Sequence, residues 1–444
     1  LKDLGKKKHE SRNPVIRAEH AVSTGLSRTI LWTKGRRGRK AFLAGSAIFL
    51  SMLALVGSFV FFGKLKFDIF APSKDGDEMS VSLHFAPGTT VAQAEKITDN
   101  ANVVISKTLG NNVKRVVYKS AANGQNATAD VVLIPFQDRE QTAPQLKQDL
   151  TQAFQGFSGA VVKINVSGAG GPTDEQPFKA QINATDQAKA SRLADDMVQF
   201  LNTTVFKRAN GTTFRAVDAE KGGLVSITRK NGQQIFTVNA GFDAEDTSAL
   251  VVVTQSAVEK EFNAEKLASY GLNKDTLKFD FGNESNNQES FKSMLMAFPV
   301  LILVMFILLV VQFRSLLQPL LILLAIPFSF FGVAFGLFIT DNSLSFFVMI
   351  GFFALIGIAV NNTIMLVDYA NQSLKSGSGY TDAIAQAVQH RFRPLLTTSL
   401  VSVVALTPLA LSDPFWQSLA VTLIFGLISS TFLVIVAFPY FWLI

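Results

Sequence analysis

The chain has 444 residues, of which 48% are hydrophobic and only 17% are charged. Charged residues usually make up about a quarter of a soluble protein, so this composition excludes an ordinary soluble globular protein. The net charge of +7 does not indicate nucleic-acid binding, because residues 1–40 carry a net +9 and the remaining residues sum to −2.

Residues 1–40 form a basic segment that we place on the cytoplasmic side of a membrane. Its apolar residues recur at helical spacing, at Val15, Ala18, Val22, Leu26 and Ile30. The spacing predicts an amphipathic helix along the inner membrane surface, where the basic residues would attract anionic lipid headgroups. A partly ordered tail is the alternative. The chain begins at Leu1 rather than Met, which hints at a fragment.

Six apolar runs are long enough, or nearly so, to cross about 30 Å of hydrocarbon. They are 41–63, 294–313, 316–340, 343–367, 395–412 and 415–442. If all six cross, the basic residues of the last five spans fall on the same side as the basic run KGRRGRK: Arg314, Lys375, Arg391 and Arg393. Because basic loops face the cytoplasm, we predict a multi-pass protein of the cytoplasmic membrane with a cytoplasmic N-terminus.

Residues 64–292 have ordinary polarity and lie outside the cytoplasm in this topology. Their strand and helix patterns follow the order β-α-β-β-α-β twice, over 64–170 and 171–292. Each pass predicts a ferredoxin-like unit with a four-stranded antiparallel sheet and two helices on one face. The predicted fold class is therefore a six-span α-helical membrane protein. One span (41–63) precedes the two tandem ferredoxin-like units, and a five-span bundle (293–444) follows them.

Two features inside the apolar runs indicate helix packing or function. Gly332 and Gly336, in the third run, would let two helices approach closely, and a chance pair of small residues is the alternative. The stretch GIAVNNTIMLVDYANQ places Asn361 and Asn362 in the middle of the fourth run and Asp368 at its end. A charge at the centre of a membrane helix costs about 2.5–3.5 kcal/mol on insertion scales, so polar residues there are usually functional. Alternatively, the amides only bond neighbouring helices, which is worth about 1 kcal/mol.

Several kinds of chemical site have no support in the sequence. There is no cysteine, and the four histidines are scattered without metal-ligand spacing, at His9, His20, His84 and His390. No Walker phosphate-binding motif and no recognisable Ser–His–Asp arrangement occurs. We therefore predict neither an enzyme nor a metal or cofactor site.

The layout of one span, two external α/β units and five spans resembles the C-terminal half of a resistance–nodulation–division (RND) transporter. The matching motifs follow in the same order, from FAPSKDGDEMSVSLHFAPGTTVAQAEK to QFRSLLQPLLILLAIPFSFFG, GIAVNNTIMLVDYANQ and HRFRPLLTTSL. By this resemblance the external units are porter subdomains. Large RND efflux pumps also carry a docking subdomain, but only residues 202–226 stand at that place here. The resemblance therefore implies a pump without a docking subdomain.

The resemblance also implies a proton relay. In well-known efflux members a lysine stands at the position of Asn361, and an arginine and a threonine on the next span match Arg391 and Thr398. We predict a relay of Asn361, Asn362, Arg391 and Thr398, facing acidic residues on a helix of the other half. Asp368 is a possible accessory residue, although its place near the cytoplasmic edge favours a structural role.

The resemblance implies proton-driven export of amphiphilic small molecules or lipids. The expected partners are an N-terminal half on the same or another chain, further copies in a homotrimer or other oligomer, and the lipid membrane. The alternatives are an accessory of protein secretion, as in the Sec-associated relatives, and a non-transporting lipid sensor. A heavy-metal exporter is less favoured, because only Met79 and Met197 fall in the external region.

Overall fold

The computed structural model describes residues 14–69, 75–86, 88–120, 126–166, 176–184, 186–208, 211–222, 229–230, 233–244, 247–412 and 416–443. The chain divides into two compact units. One contains Leu1–Leu65, Met294–Asn342 and Phe347–Ile444, and the other contains Lys66–Ser293 and Ser343–Phe346. We call them the helical unit and the α/β unit.

The first half of the chain contains two long helices followed by alternating strands and helices. They are α1 (Pro14–Leu31), α2 (Arg37–Phe62), β1 (Glu78–Phe85), α3 (Val91–Leu109), β2 (Val113–Ser120), β3 (Asn126–Leu133), α4 (Ala143–Ala153), β4 (Ala160–Val166), β5 (Phe178–Asn183), α5 (Gln187–Thr203), β6 (Val205–Lys207), β7 (Thr213–Gly222), β8 (Arg229–Lys230), β9 (Gln233–Phe242), α6 (Thr247–Glu261), α7 (Ala264–Ser269) and β10 (Leu277–Phe279).

The rest of the described chain is helical. Its elements are α8 (Asn283–Phe313), α9 (Leu317–Leu323), α10 (Ala325–Ile339), α11 (Phe346–Lys375), α12 (Tyr380–Ser412), α13 (Gln417–Val436) and α14 (Phe438–Trp442).

The first sheet of the α/β unit has four antiparallel strands in the order β2-β3-β1-β4. Residues along β1 alternate between buried and partly exposed, and the buried ones, such as Val81 and Leu83, pack against α3 and α4. Both helices begin at a capping box, which Thr90 and Gln93 form in α3 and Thr142 and Gln145 form in α4. Such caps satisfy backbone N–H groups that the first turn leaves free.

The second sheet differs from the four-stranded prediction, because it has six antiparallel strands in the order β10-β5-β9-β7-β6, with β8 paired to β9. The segment before β7 folds back as the short strand β6, through a turn at Gly211, whose φ is 89°. Phe206 and Phe214 then stack at 5.3 Å between ring centroids. This aromatic pair favours the extra hairpin, since cross-strand aromatic pairs stabilise sheets. The described part of 202–226 consists of the end of α5 and these strands.

A buried polar cluster in the α/β unit joins three segments that are distant in sequence. Ser248, in the first turn of α6, accepts a hydrogen bond from the backbone N–H of Ile69 at 3.1 Å and donates one to Asp68 Oδ1 at 3.0 Å. Glu284, in the first turn of α8, is buried close to Ser248 and accepts a hydrogen bond from Gln288 Nε2 at 3.3 Å. The side chains of Asp68, Ser248 and Glu284 are at least nine-tenths buried. The hydrogen bonds of Ser248 therefore tie the segment after α2 to α6, and Glu284 brings the start of α8 close to them.

Among the described residues, six helical segments are long and apolar enough to cross a membrane, which agrees with the predicted count. Their limits differ from the predicted runs. The third is divided into α9 and α10, and the last into α13 and α14. The fifth, predicted over 395–412, begins at Tyr380 and continues through Pro394 and Pro408. Prolines are tolerated in such helices when neighbouring groups satisfy the freed backbone carbonyls.

Helices α10 and α13 pack closely at the predicted glycine pair. A Cβ added to Gly332 would lie 2.1 Å from the backbone oxygen of Phe425, and one added to Gly336 would lie 2.5 Å from the Phe425 ring. Real Cβ atoms do not approach other atoms so closely. The prediction that these glycines allow close helix approach is confirmed.

Helix α1 forms, as predicted, and part of its predicted apolar stripe, Leu26 and Ile30, packs against the core of the helical unit. Ser23, Ser27 and Ile30 are buried, whereas Val22 is 51% exposed. The side chains of Val15 and Ala18 lie outside the described residues. The Thr29 and Tyr440 hydroxyls are hydrogen-bonded at 3.0 Å. Neighbouring helices thus cover part of α1, and its contact with the membrane surface stays a prediction.

Candidate functional site

The two central amides of α11 point in different directions. Asn362 is 4% exposed, whereas Asn361 is exposed, because consecutive residues on a helix are about 100° apart around the axis. The exposed face continues along α11 through Ile350, Ile358 and Asp368. Within this chain, Asn361 is therefore a polar group on a surface that no described residue covers.

Asn362 belongs to a buried polar cluster between three helices. Its Nδ2 donates to Ser399 Oγ on α12 and to Thr431 Oγ1 on α13, both at 3.3 Å. The two hydroxyl oxygens are 2.8 Å apart, and either can donate to the other. Ser399 is 7% exposed and Thr431 is 4% exposed. We call Asn362, Ser399 and Thr431 the polar triad.

Thr398 is exposed and adjoins the triad in sequence. Its hydroxyl donates to the backbone oxygens of Pro394 at 3.1 Å and Leu395 at 3.0 Å, within its own helix. Asn361 thus directly precedes the buried Asn362 on α11, and Thr398 directly precedes the buried Ser399 on α12. Helices α11 and α12 each expose one polar residue beside the point where they bond each other.

Arg391 and Asp368 lie away from the triad. Arg391 precedes Ser399 by eight residues, about 12 Å along a helix. Its guanidinium lies over the Tyr369 ring, 5.2 Å from the centroid, and its buried Nε has no hydrogen-bond partner among the described residues. Asp368, next to Tyr369, accepts a hydrogen bond from Gln372 Nε2 at 2.7 Å. The predicted site residues therefore occupy two layers of the bundle.

The sequence prediction did not include Ser399 and Thr431. Ser399 lies within the quoted motif HRFRPLLTTSL, beside the predicted Thr398, and Thr431 lies in the run ISSTF. Small hydroxyl residues are common in membrane helices, where they bond their own backbone. The types alone therefore did not distinguish these two from neighbours such as Ser430.

In the parts of the chain that the structure describes, no group of three or more His, Cys, Asp or Glu side chains is arranged to hold a metal ion. The polar triad contains only amide and hydroxyl groups, which donate and accept hydrogen bonds but do not titrate near neutral pH. A proton acceptor for this layer must come from a group outside the triad.

Comparisons with known proteins agree with this architecture. The model of the AcrB/AcrD/AcrF family matches residues 212–444. The swarming motility protein SwrC of Bacillus subtilis is 32% identical over 220 residues, which cover 48% of this chain and 20% of SwrC. The multidrug resistance protein MdtC of Photorhabdus laumondii is 34% identical over 161 residues, covering 35% of this chain and 16% of MdtC.

Two further comparisons involve proteins of metal resistance. The cobalt-zinc-cadmium resistance protein CzcA of Cupriavidus metallidurans is 26% identical over 222 residues, covering 49% of this chain and 20% of CzcA. The crystal structure of a heavy metal efflux pump superposes with a TM-score of 0.73 at 18% identity. That match covers 96% of this chain and 52% of the pump, so it shows the fold, and this chain spans about half the pump's length.

The family match covers more than half of the chain, and it includes the whole described bundle from α8 onward. The solved pump, which covers 96% of this chain, agrees in fold with the six apolar helices and the two antiparallel sheets. The chain belongs to the AcrB/AcrD/AcrF family of RND transporters.

Proposed function

We propose that this chain works as the C-terminal half of a proton-driven RND pump that exports amphiphilic small molecules or lipids. The observation that supports the proposal best is the placement of Asn361 and Thr398. They are exposed polar residues in membrane-length helices, each next in sequence to a member of the buried polar triad. Polar residues in a membrane usually face a protein partner or a water-filled cavity and mark a transport pathway.

In this proposal Asn361 donates a hydrogen bond to a carboxylate of the N-terminal half. An asparagine cannot form the ion pair that a lysine forms, so the carboxylate alone carries the titrating proton. Thr398 offers a second hydroxyl at the same level. Arg391, about 12 Å away along α12, supplies a positive charge that acts through space rather than by contact. Asp368 bonds Gln372 and has a structural role.

We infer the orientation from the charges. Basic residues before α2 and at the α8–α9 and α11–α12 ends support a cytoplasmic location of α1. The α/β unit then lies outside the cytoplasm, and the protein is a multi-pass protein of the cytoplasmic membrane. Its two strand orders, β2-β3-β1-β4 and β10-β5-β9-β7, support the assignment of two ferredoxin-like porter subdomains. Their limits, 64–170 and 171–292, remain a prediction.

The relatives bear on the choice of substrate. Their names refer to swarming motility, multidrug resistance and cobalt, zinc and cadmium resistance. None refers to protein secretion or lipid sensing, so the secretion-accessory and sensor alternatives are not favoured. Metal cations remain a substrate class that an experiment should include beside amphiphiles.

The test uses the full transporter, with both halves present, in proteoliposomes that carry an internal pH dye. A pH gradient should drive uptake or release of an amphiphilic dye, and addition of a substrate should dissipate the gradient. Zinc and cobalt salts form a second arm of the assay. If no amphiphile dissipates the gradient and a metal ion does, the substrate class proposed here is wrong. If neither does, proton-driven export is wrong.

A further inference from the structure

The inference concerns helix α13, which contributes no residue to the predicted relay. Its apolar window is 67% buried, the highest fraction among the six candidate spans in the described chain. Thr431, in the second half of α13, nevertheless bonds both Asn362 and Ser399. A buried hydroxyl whose bonds all reach other helices fixes those helices relative to one another.

The hydrogen bonds of the triad can be counted. The Asn362 amide has two N–H groups, and each has a hydroxyl oxygen at 3.3 Å. Ser399 and Thr431 have one hydroxyl proton each. At 2.8 Å one of them donates to the other, and the remaining proton is free to bond a backbone oxygen of its own helix. Reversing the direction of the Ser399–Thr431 bond needs only rotation of two hydroxyls, with no movement of helices.

This geometry sets the rotation of two helices about their axes. Asn362 holds α11 and Ser399 holds α12, and both are held by Thr431. Because Asn361 and Thr398 are one residue earlier on the same helices, their directions follow from the triad. A change in the triad would therefore turn the exposed polar residues away from their present directions without touching them.

We propose that Ser399 and Thr431 are positioning residues of the proton relay. They hold α11 and α12 so that Asn361 and Thr398 face the carboxylate of the partner half. This inference rests on the function proposed above. It assigns α13 a part in proton coupling, although none of its residues contacts the carboxylate.

Ser430 offers a matched control for a purely structural role. It is the residue before Thr431, it is 1% exposed, and its hydroxyl donates to Leu427 O in the same helix at 3.2 Å. Ser430→Ala removes a buried hydroxyl from the same turn of α13 but leaves the triad intact. Loss of packing alone should affect Ser430→Ala and Thr431→Val to a similar degree.

The experiment compares Thr431→Val, Thr431→Ser, Ser399→Ala and Ser430→Ala in the full transporter, together with Asn361→Leu. Substrate-dependent proton flux in proteoliposomes is measured from acidic to alkaline pH, and melting temperature is measured in the same preparations. Thr431→Val should lower the maximal rate about tenfold and shift the pH profile, without changing half-saturation by substrate. Thr431→Ser should restore both, and Ser430→Ala should behave as wild type.

The outcomes separate this inference from the function on which it rests. If Asn361→Leu stops transport while Thr431→Val and Ser399→Ala keep the wild-type rate and pH profile, the positioning role is overturned and the relay stands. If Asn361→Leu also transports normally, the relay role of Asn361 is overturned, whereas the proposed function is overturned only if the wild-type transporter shows no substrate-dependent proton flux. If Thr431→Val does not fold, Ser399→Ala against Ser430→Ala decides the question. Equal losses in those two variants overturn the positioning role.

Discussion

Two adjacent asparagines on α11 have opposite environments. Asn362 shares both of its amide N–H groups with hydroxyls of α12 and α13, whereas Asn361 projects from an exposed face. At the residue scale, two side chains of the same type therefore have different roles. One amide holds helices together, and the other remains available to a group outside this chain.

We expect Asn361→Leu to lower export by about tenfold or more while the melting temperature stays unchanged. The facing carboxylate would lose its hydrogen-bond donor in a low-dielectric setting, and no buried bond of this chain would break. Asn361→Asp should fail as well, because it adds a like charge. Efflux from intact cells is measured and normalised to the amount of transporter in the membrane.

Gln389→Leu is the control for this prediction, since it replaces an exposed amide on α12 outside the polar layer. Asn362→Leu is the contrasting variant. It should lower the melting temperature, because it leaves two buried hydroxyls without an amide donor and costs about 1 kcal/mol. Export by Asn361→Leu at the wild-type rate would show that the exposed amide has no part in coupling.

At the scale of elements, the position of α13 depends on glycines, whose lack of a side chain lets neighbouring helices approach it closely. Gly332 and Gly336 let the backbone of α13 approach α10, and Gly426 of α13 meets Leu355, whose Cδ2 would lie 2.2 Å from an added Cβ. Thr431 of the polar triad lies on this same helix. Glycine contacts and hydroxyl bonds together determine how α13 sits between α10, α11 and α12.

Gly332→Ala should destabilise the helical unit. Its Cβ has no space beside the Phe425 backbone, so α10 and α13 must separate, and such overpacking typically costs about 1–3 kcal/mol. The measurement is the melting temperature of the purified chain in detergent. Gly45→Ala on α2 is the matched control, since nothing lies within 4 Å of its added Cβ. Equal melting temperatures for the two variants would contradict the close contact.

The Ser248 hydroxyl should matter in the same way for the α/β unit. Ser248→Ala removes the hydroxyl that bonds both the buried Asp68 carboxylate and the Ile69 N–H, which should cost about 1–3 kcal/mol. Ser256→Ala on the same helix is the control, because that hydroxyl is exposed and bonds only Val252 O of its own helix. Chemical denaturation followed by intrinsic fluorescence measures both. A loss no larger than that of Ser256→Ala would refute a structural role for the cluster.

At the scale of the whole molecule, each unit has its own hydrophobic core. The helical unit also exposes polar residues that have no titrating partner among the described residues of this chain. The core of the helical unit includes Ile356, Val360 and Phe438, and each sheet of the α/β unit has a separate core. The chain is thus equipped to fold, but its amides and hydroxyls at Asn361 and Thr398 provide no titrating group.

We therefore expect the purified chain alone, reconstituted in proteoliposomes, to show no substrate-dependent proton flux. Flux should appear when an N-terminal half is added, fused or separate. The measurement is the decay of an imposed pH gradient, with empty liposomes and a protonophore as reference points. Substrate-dependent flux by the chain alone would disprove the need for a partner half.

Composition and periodicity were sufficient to predict six apolar helices, the two α/β passes and the close approach at Gly332 and Gly336. These features depend on local hydrophobicity and on residue size, which can be read directly from a sequence. The extra strand β6 and the continuation of α12 through Pro394 were not predicted. The first depends on the contact of Phe206 with Phe214, which are eight residues apart. The second goes against the general rule that proline interrupts a helix, which membrane helices often override.

The candidate site shows the same division. The sequence by itself determined that Asn361 and Asn362 are polar residues in an apolar helix. Only the tertiary structure decided that Asn362 is buried and Asn361 exposed, and that Ser399 and Thr431 complete the triad with Asn362. These partners are 37 and 69 residues away along the chain. Contacts at such separations depend on how α11, α12 and α13 pack, and helical periodicity does not encode the rotation of one helix relative to another.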